Sequence, residues 1–223
     1  GGDTAYDMNK RLDGDIFSKN PTVLMVTFGM NDSGYYEYNG DNAKEFGEQK
    51  YQESIKNFQQ MEKRFKELPH TRIVMTGTSP YDETAQIKDN TVFKKKNETI
   101  KRIIEYQRES AARNGWEFTD WNAPMVAINQ ELQQKDPSFT LCGNDRIHPD
   151  NDGHMVMAYL FLKAQGFAGK DVANMEINAN KKQAVKAEGC TISNIKKIGK
   201  DISFDYLAEA LPYPLDTIAR GWG

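Results

Sequence analysis

Asp145 and His148 are the two residues of this sequence whose types and spacing most directly describe a reaction. An acid three residues before a histidine can, in a tight loop, accept the imidazole Nδ1 proton and leave Nε2 as a base. That is the orienting arrangement nucleophilic hydrolysis requires. Pro149 stiffens the same loop, and the DNDG run from Asp150 to Gly153 leads directly into the apolar stretch Met155 to Leu162. The spacing also suits a helix cap or a purely structural loop, and both readings stay open at this point.

His154 invites a metal alongside Asp150, Asp152 and His148. Aligning Gly153 with the glycine of a calcium loop puts His148 at the first ligand position and Tyr159 where the bidentate glutamate belongs, so that register fails twice. A zinc site would want a further well-spaced ligand. Asp150 or Asp152 capping the next helix explains the run better. His70 follows a helix-ending proline, has no acid partner nearby in sequence, and reads as a surface residue.

A second polar cluster, Gly29-Met30-Asn31-Asp32, follows a buried apolar run. Asn31 at a strand end can aim its amide into a cleft, with Gly29 letting the chain turn sharply. Such a donor suits a developing oxyanion. Gly2, just ahead of a helix start, can offer a backbone N–H to the same oxygen. Tyr35, Tyr36 and Tyr38 in the following long loop make a candidate aromatic wall for stacking on a sugar ring, with core or lid packing as the competing explanation.

The elements that must position these groups alternate. Met8, Leu12 and Ile16 at four-residue spacing predict a helix over Thr4 to Phe17, capped by Asp3 or Thr4. VLMVTF at Val23 to Phe28 lacks polar alternation and predicts a strand covered on both faces. A helix over Glu48 to Leu68, a strand over Thr71 to Thr78, a helix over Phe93 to Asn114 closed by Gly115, a short strand at Trp116 to Thr119 and a helix over Ala123 to Gln134 follow. This alternation argues for an α/β fold with a parallel sheet and right-handed crossovers. Beyond about Gly169 the texture changes: Val172 to Asn178 and Cys190 to Ile195 read as strands, and Asp201 to Leu211 as a mixed segment running to Pro212-Tyr213-Pro214. The domain reading is therefore 1–168 for the α/β unit and 169–223 for a β-containing extension or the start of an accessory domain.

With 223 residues, 38% hydrophobic and 27% charged, the chain has one substantial core and polar surface to spare. A formal charge of -3 and a pI near 5.7 argue against a nucleic-acid partner. No apolar run reaches the roughly 20 residues that cross a membrane. The opening GGDTAYDMNK has neither a signal segment nor an initiator methionine and reads as part of a processed or excised piece. Cys142 and Cys190 permit one disulfide or two free thiols.

Gly1 to Thr4 (GGDT), Gly29 to Asp32 (GMND) and Asp145 to Pro149 (DRIHP), in this order, resemble the second, third and fifth blocks of the SGNH, or GDSL, hydrolase family of lipases, esterases and carbohydrate acetylesterases. The resemblance covers about Gly1 to Gly166. It implies a flavodoxin-like three-layer α/β/α sandwich, with Gly2 and Asn31 as oxyanion donors, His148 as base and Asp145 as its orienting acid. It implies no metal or organic cofactor, a carboxylic ester substrate, an O-acetylated carbohydrate among the candidates, and a secreted or periplasmic bacterial setting. The family's first block, with its nucleophilic serine, has no counterpart here; Ser33 and Ser79 read as turn residues. The expectation is therefore that a preceding segment of the same parent protein supplies the nucleophile and the first strand. The alternative is a non-catalytic carbohydrate-binding or structural module of the same fold.

Overall fold

Helix α1 (Ala5–Asp15) starts where Thr4 and Asp7 close a capping box: the Asp7 N–H donates to the Thr4 hydroxyl, and the Thr4 N–H donates to Asp7 Oδ2 at 3.1 Å. Strand β1 (Val23–Phe28) follows, then helix α2 (Ala43–Phe65), strand β2 (Arg72–Gly77), helix α3 (Lys96–Asn114), strand β3 (Glu117–Asp120) and helices α4 (Asn122–Leu132) and α5 (Asn151–Ala164). The computed structural model describes residues 2–88 and 91–210. The three strands pair in parallel in the order β1-β2-β3, with Val23 opposite Arg72 and Met75 opposite Phe118. The architecture is a three-layer α/β/α arrangement on a parallel sheet; the strand–helix alternation anticipated the parallel sheet, and the family resemblance the three layers.

The main core lies between the sheet and helices α1 to α3. Leu24, Val26 and Phe28 of β1 meet Phe58, Met61 and Phe65 of α2 and Ile103 of α3. Phe58 and Met61 are fully buried. Burying a side chain of this size stabilises by about 1.5–3 kcal/mol, so α2 is held by its apolar stripe more than by helix propensity. A second cluster joins Trp121 and Met125 to Leu141 and Cys142, with Val156, Met157 and Leu160 of α5 packed against it.

Two sequence expectations need correction here. Strand β1 is covered on one face, since Val23, Met25 and Thr27 stay exposed while Leu24, Val26 and Phe28 are buried. Helices α1 to α3 cover only that buried face, and among the described residues β1 has a single strand neighbour. Helix α2 begins at Ala43 rather than near Glu48. Gly47 lies inside the helix where it crosses α3, and a Cβ there would come within 2.8 Å of the Thr99 hydroxyl. Helix α3 ends as anticipated, with Gly115 at φ 67° donating its N–H back to Ala111 and Ala112.

The chain divides into two compact units between Gly166 and Phe167. In the second, β4 (Asn174–Asn178) and β5 (Gln183–Glu188) form an antiparallel hairpin, and β6 (Cys190–Ile198) and β7 (Asp201–Ala208) form another. The sequence reading missed β5. Its turn contains Lys181 and Lys182, with Asn178 Oδ1 accepting from the N–H groups of Asn180 and Lys181. Pro212, Tyr213 and Pro214 lie outside the described residues. Cys142 and Cys190 are both buried, each within its own unit, as free thiols.

Candidate active site

The loop after β1 is built around Asp32. Gly29, at φ 127°, turns the chain out of the strand. The buried Asp32 carboxylate then accepts from the Ala5 N–H at 2.9 Å, the Gly29 N–H at 3.1 Å and the Ser54 hydroxyl at 3.2 Å. One acid thereby ties the start of α1, the end of β1 and the side of α2. Burial raises its pKa, and these donors oppose the rise. On this platform Asn31 is fixed at both ends of its amide. Nδ2 donates to the Asp3 carbonyl at 3.0 Å, and Oδ1 accepts from the Tyr35 hydroxyl at 2.5 Å. One Nδ2 hydrogen remains beyond the bond to Asp3.

The loop before α5 presents the second set. Gly143 at φ 66° is required, because a Cβ there would sit 2.5 Å from the His148 carbonyl oxygen. Asp145 Oδ1 accepts from the backbone N–H groups of Ile147 and His148, each at 2.9 Å, and Oδ2 lies 2.6 Å from His148 Nδ1. Burial pushes the Asp145 carboxyl up, but the imidazole and the two N–H groups outweigh it and hold it below its ordinary value. The His148 side chain is 82% exposed, so this pair stands open to solvent. Asp150 caps α5 by accepting the Gly153 N–H at 3.0 Å, as its position in the DNDG run anticipated.

Tyr35 joins the two loops. Its hydroxyl donates to Asn31 of one loop, its ring shares a cluster with Ile147 of the other, and burial, then the charges of Asp145 and Asp32, raise its pKa. Met30, Tyr35 and Ile147 pack against one cluster made by Tyr38, Tyr81, Phe93, Ile100 and Ile104. The structure therefore brings Asn31, Tyr35, Asp145 and His148 onto neighbouring loops over a shared apolar base. Gly2 stands exposed just ahead of the α1 cap with φ 83°.

The three tyrosines do not act alike. Tyr36 is 79% exposed and meets Phe93 edge-on, and Tyr35 is half-buried against the same ring. Tyr38 is removed from any substrate wall: it is buried, its hydroxyl donating to the Ser33 carbonyl at 2.8 Å and lying 2.9 Å from the Thr99 hydroxyl. Ser33 is buried as well and donates to the Met30 carbonyl.

Sequence reasoning missed three buried residues that shape the site. Lys96, Arg146 and Asp82 are all buried. Arg146 sits at φ 68° and donates from Nη1 to the carbonyls of Asp82 at 3.1 Å and Ala85 at 2.7 Å. Asp82 in turn accepts from Thr84, Ala85, Asn129 and Gln133. The signal available for Arg146 was its place inside the DRIHP block; Lys96 was hidden in a lysine run that reads as solvated.

A model of the GDSL-like lipase/acylhydrolase family matches residues 1–156, well over half of the chain. The chain belongs to that family. No curated protein matches it. Among solved structures, Axe2, an acetylxylan esterase from Geobacillus stearothermophilus, is similar over 75% of this chain and 69% of its own, with 22% identity and a TM-score of 0.57. A tryptophan-to-isoleucine mutant of Axe2, described as an acetyl-xylooligosaccharide esterase, covers 77% and 71% at 20% identity and a TM-score of 0.58. The acetyl xylan esterase AlAXEase covers 74% and 77% at 21% identity and a TM-score of 0.54. At these identities the likeness of this acylhydrolase-family chain to the solved structures is one of fold.

Proposed function

We propose that this chain carries the acid, base and oxyanion part of a serine-esterase site on a flavodoxin-like sheet, acting on a carboxylic ester of an O-acetylated carbohydrate. The observation that carries this reading is the 2.6 Å contact between Asp145 Oδ2 and His148 Nδ1, with Asp145 itself locked by two backbone N–H groups. Mutants of Axe2 described as catalytic replace a serine, an aspartate and a histidine, the last two three positions apart. Asp145 and His148 repeat that spacing. Their resemblance is what favours acetylated sugar over other esters.

In this reading His148 Nε2 takes the proton of a serine hydroxyl as its oxygen attacks the ester carbonyl. Asp145 holds the imidazole in the tautomer that has Nδ1–H, and stabilises the imidazolium that forms. The carbonyl oxygen, now an oxyanion, is met by the remaining Asn31 amide hydrogen and the Gly2 N–H. His148 then gives its proton to the leaving alcohol, and water repeats the sequence to release the acid. In this reading the nucleophile is a serine that none of the blocks matched here contains, and the backbone of β1, which has one strand neighbour among the described residues, leaves an edge where a further strand would pair. Exposed Tyr36 and half-buried Tyr35 offer the aromatic surface for the sugar.

The test is hydrolysis of p-nitrophenyl acetate and acetylated xylo-oligosaccharide by the full-length gene product. A fluorophosphonate probe followed by peptide mapping should label one serine outside residues 1–223, and His148→Ala should abolish both labelling and turnover. Undiminished hydrolysis by His148→Ala would remove the base assignment, and a protein that neither hydrolyses nor labels would leave the non-catalytic module as the reading.

A further inference from the structure

Lys96 begins α3, far in sequence from the loop after β1, and its side chain is fully buried beneath that loop. All three ammonium hydrogens have acceptors there. Nζ is 2.6 Å from the Met30 carbonyl, 2.5 Å from Ser33 Oγ and 2.5 Å from the Gly34 carbonyl. The first of these carbonyls immediately precedes Asn31 and the last immediately precedes Tyr35. Nζ also lies 3.9 Å from the centre of the Tyr35 ring, whose hydroxyl donates to Asn31 Oδ1. A cation over an aromatic face is attracted by the ring, and more strongly when both are desolvated. The ammonium, the two carbonyls, Tyr35 and Asn31 therefore form one closed set of contacts.

A surface lysine needs no such arrangement, and burying a charge without a hydrogen-bonded carboxylate beside it is costly. Here the cost is offset by three carbonyl or hydroxyl acceptors, which only the protonated amine can satisfy together. The charged and titratable groups facing it are Asp32 from the loop after β1, Glu83 from the loop after β2, and the rings of Tyr35 and Tyr81. Tyr38 faces the same loop through the Ser33 carbonyl.

We propose that Lys96 is a positioning residue for the oxyanion donor: its protonated amine sets the orientation of the Asn31 amide through the Met30 and Gly34 carbonyls and the Tyr35 ring. This rests on the esterase reading only for its kinetic consequence. Burial lowers the Lys96 pKa to about 7, with Asp32 and Glu83 opposing the shift. Loss of the proton leaves two hydrogens for three acceptors, so one side of the loop is released. The site then has an alkaline limit set by a lysine that touches no substrate.

The coupling can be read in the chain as it stands. With Lys96 followed through its 13Cε resonance and Asn31 through its side-chain 1H–15N peaks, both should titrate with one midpoint near neutrality. In Lys96→Met the Asn31 peaks should move and lose their pH dependence. Tyr35→Phe, which leaves Lys96 in place and cuts the link to Asn31, should also release the Asn31 peaks. Asn31 peaks that stay constant while Lys96 loses its proton, or that Lys96→Met leaves unmoved, would overturn the proposal. In the full-length enzyme Lys96→Met should lower kcat by roughly 10²-fold with KM within about twofold, as expected for a donor effective only in the transition state. If Lys96→Met fails to fold, the wild-type titration and Tyr35→Phe still decide the question. A protein that neither hydrolyses esters nor labels with the fluorophosphonate would sink the esterase reading alone, because the resonance coupling does not depend on turnover.

Discussion

The guanidinium of Arg146 donates to the carbonyl of Ala85 at 2.7 Å, so the residue next to Asp145 is rooted in the interior while Asp145 and His148 stand in solvent. The Asp82 N–H answers by donating to the Arg146 carbonyl at 3.1 Å. The exposed pair is therefore carried by a buried root, which allows a solvent-facing base to keep one geometry.

Arg146→Ala should destabilise the protein by about 3 kcal/mol or more, since charge-assisted bonds to two buried carbonyls are lost. Arg146→Gly should recover about 1 kcal/mol of this, because Arg146 holds φ 68° and glycine adopts that conformation without a Cβ penalty. Denaturant unfolding of the two variants checks the order; a glycine variant no better than alanine would mean the backbone there is unstrained.

On the proposed esterase reading, Asp145→Asn should cost roughly 10²-fold or more in kcat, because an amide no longer selects the right imidazole tautomer. The acid also organises its own loop. Its folded pKa lies below the ordinary value of 3.8, so its contribution is complete above that value and is lost as pH falls through the folded one. The backbone amide resonances of Ile147 and His148, which donate to Asp145, should shift together in that acid window, and independent shifts would count against it.

Asp32 behaves with the opposite sign. Burial raises its pKa, so between 3.8 and the raised value the folded state holds more protons than the unfolded chain, and stability falls as pH rises through that window. Asp32→Asn should flatten this slope while costing about 1–2 kcal/mol, because an amide cannot accept from all of Ala5, Ser54 and Gly29. Unfolding free energies measured across pH for both proteins test it.

Cys142 should be chemically silent in the folded protein. Burial pushes its thiol up to about 12, and Sγ lies 3.2 Å from the Pro80 carbonyl. Iodoacetamide at pH 8 should modify Cys142 only after denaturation, as read by peptide mass spectrometry; rapid labelling of the native protein would show that the loop opens.

The residues that were legible in the sequence are those whose meaning lies in local spacing. Asp145 and His148 are neighbours in the chain, Thr4 caps α1 within one turn, and Leu24, Val26 and Phe28 declare a strand by type. What was hidden depends on contacts across long separations. Lys96 lies 66 residues from Met30, and Arg146 lies 61 from Ala85. A charged side chain reads as solvated until the fold brings acceptors to it. Tyr38 stayed open between a sugar wall and core packing for the same reason, because its partner Thr99 lies 61 residues away.

Strand β1 gives residues 1–223 a handling property. A strand with one neighbour among the described residues, an outward face of Val23, Met25 and Thr27, and neither proline nor lysine to blunt it is a template for strands of other molecules. The polypeptide should self-associate in a concentration-dependent way, and Met25→Lys should restore its solubility.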